Sequence, residues 1–186
     1  MKKPGFSAAA VLAAALFVGA TFAANAQEFK LTSQSLSKEF AADQYWNTFG
    51  CTGKNTSPDL KWSGAPAGTK SFAITFYDKD APTGSGFWHW VAYNVPATVT
   101  QIEAGALSAG KLPAGAVEGN TDLGKPGYFG PCPPVGRKHN YEFTVHALKT
   151  DKLEIPAGAT AAFVGFNLWQ NTLSKATLQA SAGPRK

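Results

Sequence analysis

The sequence is poor in charge and in reactive side chains. Only 16% of its 186 residues are Asp, Glu, Lys or Arg, and it holds three His, two Cys and one Met. With 44% hydrophobic residues, this balance excludes a largely disordered or coiled-coil chain. No Lys/Arg stripe runs beside the aromatics, and adjacent basic residues come only in pairs such as Arg137-Lys138, so nucleic-acid binding has no footprint. Beyond the N-terminal segment no run approaches the ~20 apolar residues of a membrane span. No Gly-x-Ser-x-Gly elbow exists, since Gly84-Ser85-Gly86 lacks the spacing. No His-x-x-x-His or Glu-x-x-His pattern marks a metal hydrolase. The reading is of a protein that is not an enzyme and has no metal or cofactor. Pro-Ala-Gly occurs three times, at 66–68, 113–115 and 156–158, but the flanks differ, so these are turns rather than repeats.

What is present begins with a leader. Lys2 and Lys3 precede a run from Ala8 to Phe22 that is almost wholly apolar or small, and Ala24-Asn25-Ala26 supplies a small-x-small cleavage pattern. Residues 1–26 are expected to be a cleaved signal peptide, leaving 27–186 as one domain, periplasmic or secreted. The mature chain then carries 15 basic and 12 acidic residues, a net charge of +3. Export places Cys51 and Cys132 in an oxidising compartment, where an even count makes one disulfide the first expectation. Two buried thiols, or a nucleophile at Cys132, are the competing readings.

Nineteen Gly and 12 Pro, widely spread, favour short strands and punctuated turns. Strand-like runs are Phe29 to Ser33, Lys70 to Asp78, Trp88 to Val95 and Asn140 to Leu148. Gln101 to Tyr128 has weak periodicity and reads as a long ordered loop. Thr160 can cap a helix carrying Phe163, Phe166 and Leu168, with Leu173 further along, and Thr177 to Ala180 can return as a short strand. The expected fold is mainly β with one or two peripheral helices.

Alternation then places the polar residues. Phe72, Ile74, Phe76 and Asp78 share one face, so an apolar row ends in a carboxylate, and Asp80 follows. Phe87, His89, Val91, Tyr93 and Val95 would share a face on the next strand, and His139, Tyr141, Phe143 and Val145 on a third, with His146 pointing the other way. Gly130-Pro131-Cys132-Pro133-Pro134 cannot be a central strand, because proline has no ladder donor. As a stiff loop near His139 and Tyr141 it could line an anion site, with imidazole, phenol and backbone N–H as donors.

Five motifs in order carry a resemblance: Asn55-Thr56-Ser57-Pro58, Asp78-Lys79-Asp80-Ala81-Pro82, Phe87-Trp88-His89-Trp90, Gly130-Pro131-Cys132-Pro133-Pro134 and His139-Asn140-Tyr141. Together they resemble the phosphatidylethanolamine-binding protein family, in its bacterial Raf-kinase-inhibitor-like branch, from about Phe29 to Gly183. The resemblance implies two packed antiparallel sheets with peripheral helices, no cofactor, and a small pocket for phosphate-like anions or phospholipid head groups. By position that ligand pocket comprises Asp78, Asp80, Pro82, Phe87, His89, Gly130, Pro133, His139 and Tyr141. Modulation of a protease or kinase is the alternative role it implies; a hydrolase, using Cys132 with His139 or two His with two Asp, is the least favoured reading of the residues themselves.

The motifs also depart from the family pattern. Lys79 replaces a proline and is expected to add a cation near the rim, Asn140 replaces an arginine, and Asn171 and Ala182 stand where a His and a Tyr are usual. The last two are expected to open the C-terminal wall of the pocket. The sharp turn at Asp78–Pro82, together with the resemblance, leads to the expectation of a cis Ala81–Pro82 bond.

Overall fold

The computed structural model describes Met1 and residues 27–186; the rest of the expected leader, 2–26, lies outside the described residues. Eight strands and one α-helix follow in chain order. They are β1 (Lys30–Thr32), β2 (Leu60–Ser63), β3 (Ser71–Asp78), β4 (Phe87–Pro96), β5 (Gln101–Ile102), β6 (Val117–Glu118), β7 (His139–Leu148), α1 (Ala161–Asn171) and β8 (Thr172–Ala182). A single 3-10 turn, Ala42–Gln44, lies between β1 and β2. The strands form two antiparallel sheets, ordered β1-β2-β5 and β6-β4-β3-β7-β8.

The five-stranded sheet is covered on both faces. On one, Phe72, Ile74, Phe76, Phe143 and Val145 pack against Leu31, Leu60, Trp62 and Ile102 of the small sheet. On the other, Ala73, Val91, Tyr93 and Leu148 meet Ala161, Val164 and Leu168 of α1. A strand buried on both faces reads as a continuous apolar run, which is why Ser71–Asp78 was visible in the sequence.

Several expectations need correction. The alternation on β4 breaks twice. Phe76 pairs with Trp90 but Tyr77 with Trp88, so His89 is an extra residue in a β-bulge. A second slip, between Phe72–Val95 and Ile74–Ala92, falls at Asn94, whose φ is +58°. Val91 and Tyr93 therefore face α1, not the side that holds Phe87 and His89. On α1 the inward residues are Ala161, Val164 and Leu168, while Phe163 and Phe166 are exposed. The helix ends at Asn171, so Leu173 belongs to the strand. There β8 begins at Thr172, five residues before the expected start. Three of its inward positions, Ala176, Ala180 and Ala182, are small and lie opposite Val145, Tyr141 and His139, which leaves Leu178 as the one large inward side chain among them and mutes the hydrophobic pattern. The short strands β2, β5 and β6, of two to four residues each, were not legible, and β5 and β6 interrupt the long loop only briefly.

The Ala81–Pro82 bond is not cis; among the described residues the cis bond is Gly183–Pro184. The chain turns after β3 by another device. The Asp80 N–H donates to Asp78 Oδ1 at 2.9 Å, and the Thr83 N–H to the Ala81 carbonyl at 2.8 Å. An aspartate turn of this kind reverses the chain with trans peptides. No described helix is long and apolar enough to cross a membrane.

Candidate functional site

Three neighbouring strands bring their polar ends together. Asp78 closes central β3, paired on one side with Phe87 and on the other with Tyr141. The β4 bulge turns His89 to the same side, where its ring lies 5.2 Å from Phe76, 5.0 Å from Phe87 and 5.4 Å from Tyr141. Bulges of this sort re-aim a side chain at the cost of one ladder pair. His139, at the start of β7, completes the group.

Asp78, His89 and His139 are all buried. Asp78 Oδ2 lies 2.8 Å from His139 Nδ1 and 4.0 Å from His89 Nε2, and Oδ1 takes the Asp80 N–H. His89 Nδ1 is 2.9 Å from the Phe129 carbonyl, which can only accept, so Nδ1 carries the proton. Burial, opposed by that hydrogen bond and by Asp78, lowers the His89 pKa to about 4. His89 is thus neutral at pH 7, with a bare Nε2 lone pair near the carboxylate. His139 likewise commits Nδ1 to Asp78 and keeps Nε2 in reserve. The buried Tyr141 hydroxyl makes no hydrogen bond. Burial first, and the neighbouring Asp78 charge second, push its phenol far above the ordinary range.

Asp80 sits one layer out. Its Oδ2 accepts from the Asn140 N–H at 2.7 Å and from Asn140 Nδ2 at 2.8 Å, and the backbone bond is the main reason its carboxyl is held low. Asn140 therefore serves the aspartate where an arginine is usual. Lys79 does not add a free cation to the rim: its Nζ pairs with Glu142 at 3.6 Å, on the face opposite Tyr141. Nor does Asn171 bear on the pocket. It ends α1 against the far end of β7, where its carbonyl takes the Lys149 N–H. Ala182 does, lying directly opposite His139 on β8.

The 129–134 loop is held from the other side of the fold. Asn55 Oδ1 accepts the Gly130 N–H at 2.7 Å, while its Nδ2 donates to the Tyr128 carbonyl at 3.1 Å. The Trp46 N–H donates to the Pro131 carbonyl at 3.1 Å, and the expected Cys51–Cys132 disulfide is present. A Cβ at Gly130 would lie 2.3 Å from the Gln44 carbonyl, so only glycine fits there. Gly130 and Pro133 thus shape the loop without facing the cavity. The Pro133 carbonyl accepts from Arg185 Nε at 2.6 Å.

The cavity itself measures about 220 Å³. Asp78, His89 and His139 form its polar part, and Pro82, Phe87, Cys132 and Pro134 its near walls. Ala81, Thr83, Trp46, Phe49 and Leu123 complete it, and Trp46, Phe49 and Leu123 lay in no motif singled out from the sequence. Trp46 stacks on Phe49 at 4.9 Å and meets Phe129 edge-on at 5.2 Å. Their one sequence signal was closeness to Cys51, which ties this segment to the loop. The cavity adjoins a groove lined by Asp80, Arg137, Lys138 and Asn140, sharing Pro82, Pro134 and His139 with it. Lys138 pairs with Glu39 at 2.5 Å, whereas Arg137 has no carboxylate partner among the described residues. Nor do those residues include three His, Cys, Asp or Glu side chains arranged for a metal.

Comparison with known proteins agrees with this architecture. The family model described as phosphatidylethanolamine-binding protein matches residues 36–182. The UPF0098 protein YbcL of Escherichia coli is 48% identical over 163 residues, covering 85% of this chain and 89% of its own. Its crystal structure superposes with a TM-score of 0.79 at 46% identity, over 83% of this chain and 98% of that one. YbhB of the same organism is 47% identical over 73% of this chain and 86% of its own length. A phosphatidylethanolamine-binding protein homologue from Chlamydia trachomatis superposes with a TM-score of 0.68 at 27% identity, over 82% of this chain and 95% of that one. With residues 36–182 matched by the family model and the fold shared with YbcL, the chain belongs to the phosphatidylethanolamine-binding protein family.

Proposed function

We propose that this protein is an exported, non-enzymatic binder of small phosphorylated or other oxyanionic molecules, phospholipid head groups among them. The observation that carries the reading is the convergence of Asp78, His89 and His139 on one small cavity with both Nδ1 atoms committed. What remains available is a pair of imidazole Nε2 atoms beside a carboxylate. An anion that arrives fully ionised meets repulsion from Asp78. One that arrives with an acidic O–H, such as a phosphate monoester monoanion, can donate to an Nε2 lone pair. Proton transfer to His139 would give an imidazolium–oxyanion pair flanked by Asp78. Arg137 at the adjoining groove attracts such a ligand, and the aromatic wall of Trp46 and Phe49 suits an apolar substituent.

The wall offers no free hydroxyl or thiol for nucleophilic chemistry beyond binding. Cys132 is bridged, and the Thr83 hydroxyl donates to the Gly86 carbonyl. Titration with inorganic phosphate and phosphoethanolamine, followed through the histidine ring signals, should give saturable shifts of His89 and His139, while acetate, which has no acidic O–H near neutral pH, should bind more weakly. His139→Ala should weaken binding by about tenfold or more, the scale of one charge-assisted hydrogen bond. Absence of saturable shifts up to tens of millimolar would sink the reading.

A further inference from the structure

The opposite face of the large sheet holds a second pocket with a different chemistry. Where α1 crosses the ends of β7 and β8, a groove of about 440 Å³ is walled by Trp88, Leu168, Trp169 and Leu173, with His146 and Lys175 as its principal polar members. We propose that this groove binds a small aromatic molecule that carries both a carboxylate and a hydrogen-bond donor.

Each part of that description comes from a side chain. The α1 backbone lies against one wall, since a Cβ at Gly165 would stand 3.6 Å from the Trp88 indole. The other wall is Trp169, 79% exposed and stacked on Phe166 at 6.4 Å, leaving a large aromatic surface for a planar ligand. Lys175 lies directly across from His146 in the strand register. It has no acidic partner among the described residues, and no carboxylate lines the groove, so its ammonium is available to an anion.

The donor requirement follows from the histidine. The Thr172 hydroxyl donates to the Leu168 carbonyl at 2.7 Å, so its oxygen is the acceptor in the 3.2 Å contact with His146 Nδ1. His146 therefore holds its proton on Nδ1 and offers Nε2 as a lone pair. An aromatic hydroxyl or ring N–H satisfies that atom, while the carboxylate reaches Lys175. Apolar clefts with a few convergent polar groups are the usual form of a small-molecule site.

The test uses the whole mature protein and three probes: 4-hydroxyphenylacetate, phenylacetate without the donor, and 4-methylphenol without the charge. Indole fluorescence and calorimetry should show saturable binding of the first. The other two should bind more weakly by about fivefold each, typical of one exposed polar contact. Lys175→Met should erase the preference over 4-methylphenol, Trp169→Ala should weaken all three, and His139→Ala should change none. No saturation at tens of millimolar, wild-type affinity in both groove variants, or loss of binding in His139→Ala would overturn the proposal. So would a dimer that disperses in Trp169→Ala, or attachment to phosphatidylglycerol vesicles without probe binding, since either assigns the face to another occupant.

Discussion

Two of the three histidines are neutral for the same reason and give the protein a specific acid sensitivity. Burial lowers His89 and His146 from 6.5 to about 4, with Lys175 adding to the effect on His146. In the unfolded chain both take up a proton near pH 6.5. The unfolded state therefore binds more protons between pH 6.5 and 4, and stability falls as pH falls through that window. Each histidine contributes a slope of up to about 1.4 kcal/mol per pH unit there. Glu118, raised mainly by burial, acts in the opposite sense near its own titration, and Asp59, held at about 2, acts only below the window. Urea unfolding from pH 7 to 4.5 should show this decline, and His146→Gln should remove about half of it. A flat profile would mean that the buried rings accept protons freely.

At the scale of elements, the site depends on an irregularity and the sheet on a cap. The β4 bulge puts His89 beside Asp78; a regular strand would have continued the alternation and aimed either His89 or Trp90 away from the core. Such bulges leave no periodic trace, so the strand was legible and its face assignments were not. Helix α1 was legible from its start because Thr160 Oγ1 accepts the Phe163 N–H at 3.2 Å. Its covering of Ala73, Val91 and Tyr93 makes that cap matter to the whole sheet. Thr160→Ala should cost about 1 kcal/mol in urea unfolding, with no change in phosphate binding on the other face. A loss of phosphate binding at unchanged stability would contradict this separation of the two faces.

For the whole molecule, the disulfide joins regions 81 residues apart and fixes the cavity wall. Closing a loop of that length stabilises by about 4–5 kcal/mol in the chain-entropy model. Cys51→Ser/Cys132→Ser should lose stability of that order in urea unfolding. It should also weaken phosphate binding, because Trp46 and Phe49 would no longer be tied to the 129–134 loop. Unchanged stability and affinity would show that the Asn55 and Trp46 hydrogen bonds suffice. The sequence by itself determined the β-rich class, the long central strands, the capped helix, the cysteine pair and the motif residues Asp78, His89 and His139. These are set by local periodicity, proline and glycine punctuation, and residue chemistry. Only the tertiary structure decided that Gly130 and Pro133 stand behind the cavity, that Lys79 turns to Glu142, and that Trp46 and Phe49 form its outer wall. It alone also exposes Phe163 and Phe166, and pairs His146 with Lys175 beneath Trp169. Those outcomes depend on which strands become neighbours and where the ladder slips, and long-range pairing of that kind is not carried by any short window of the chain.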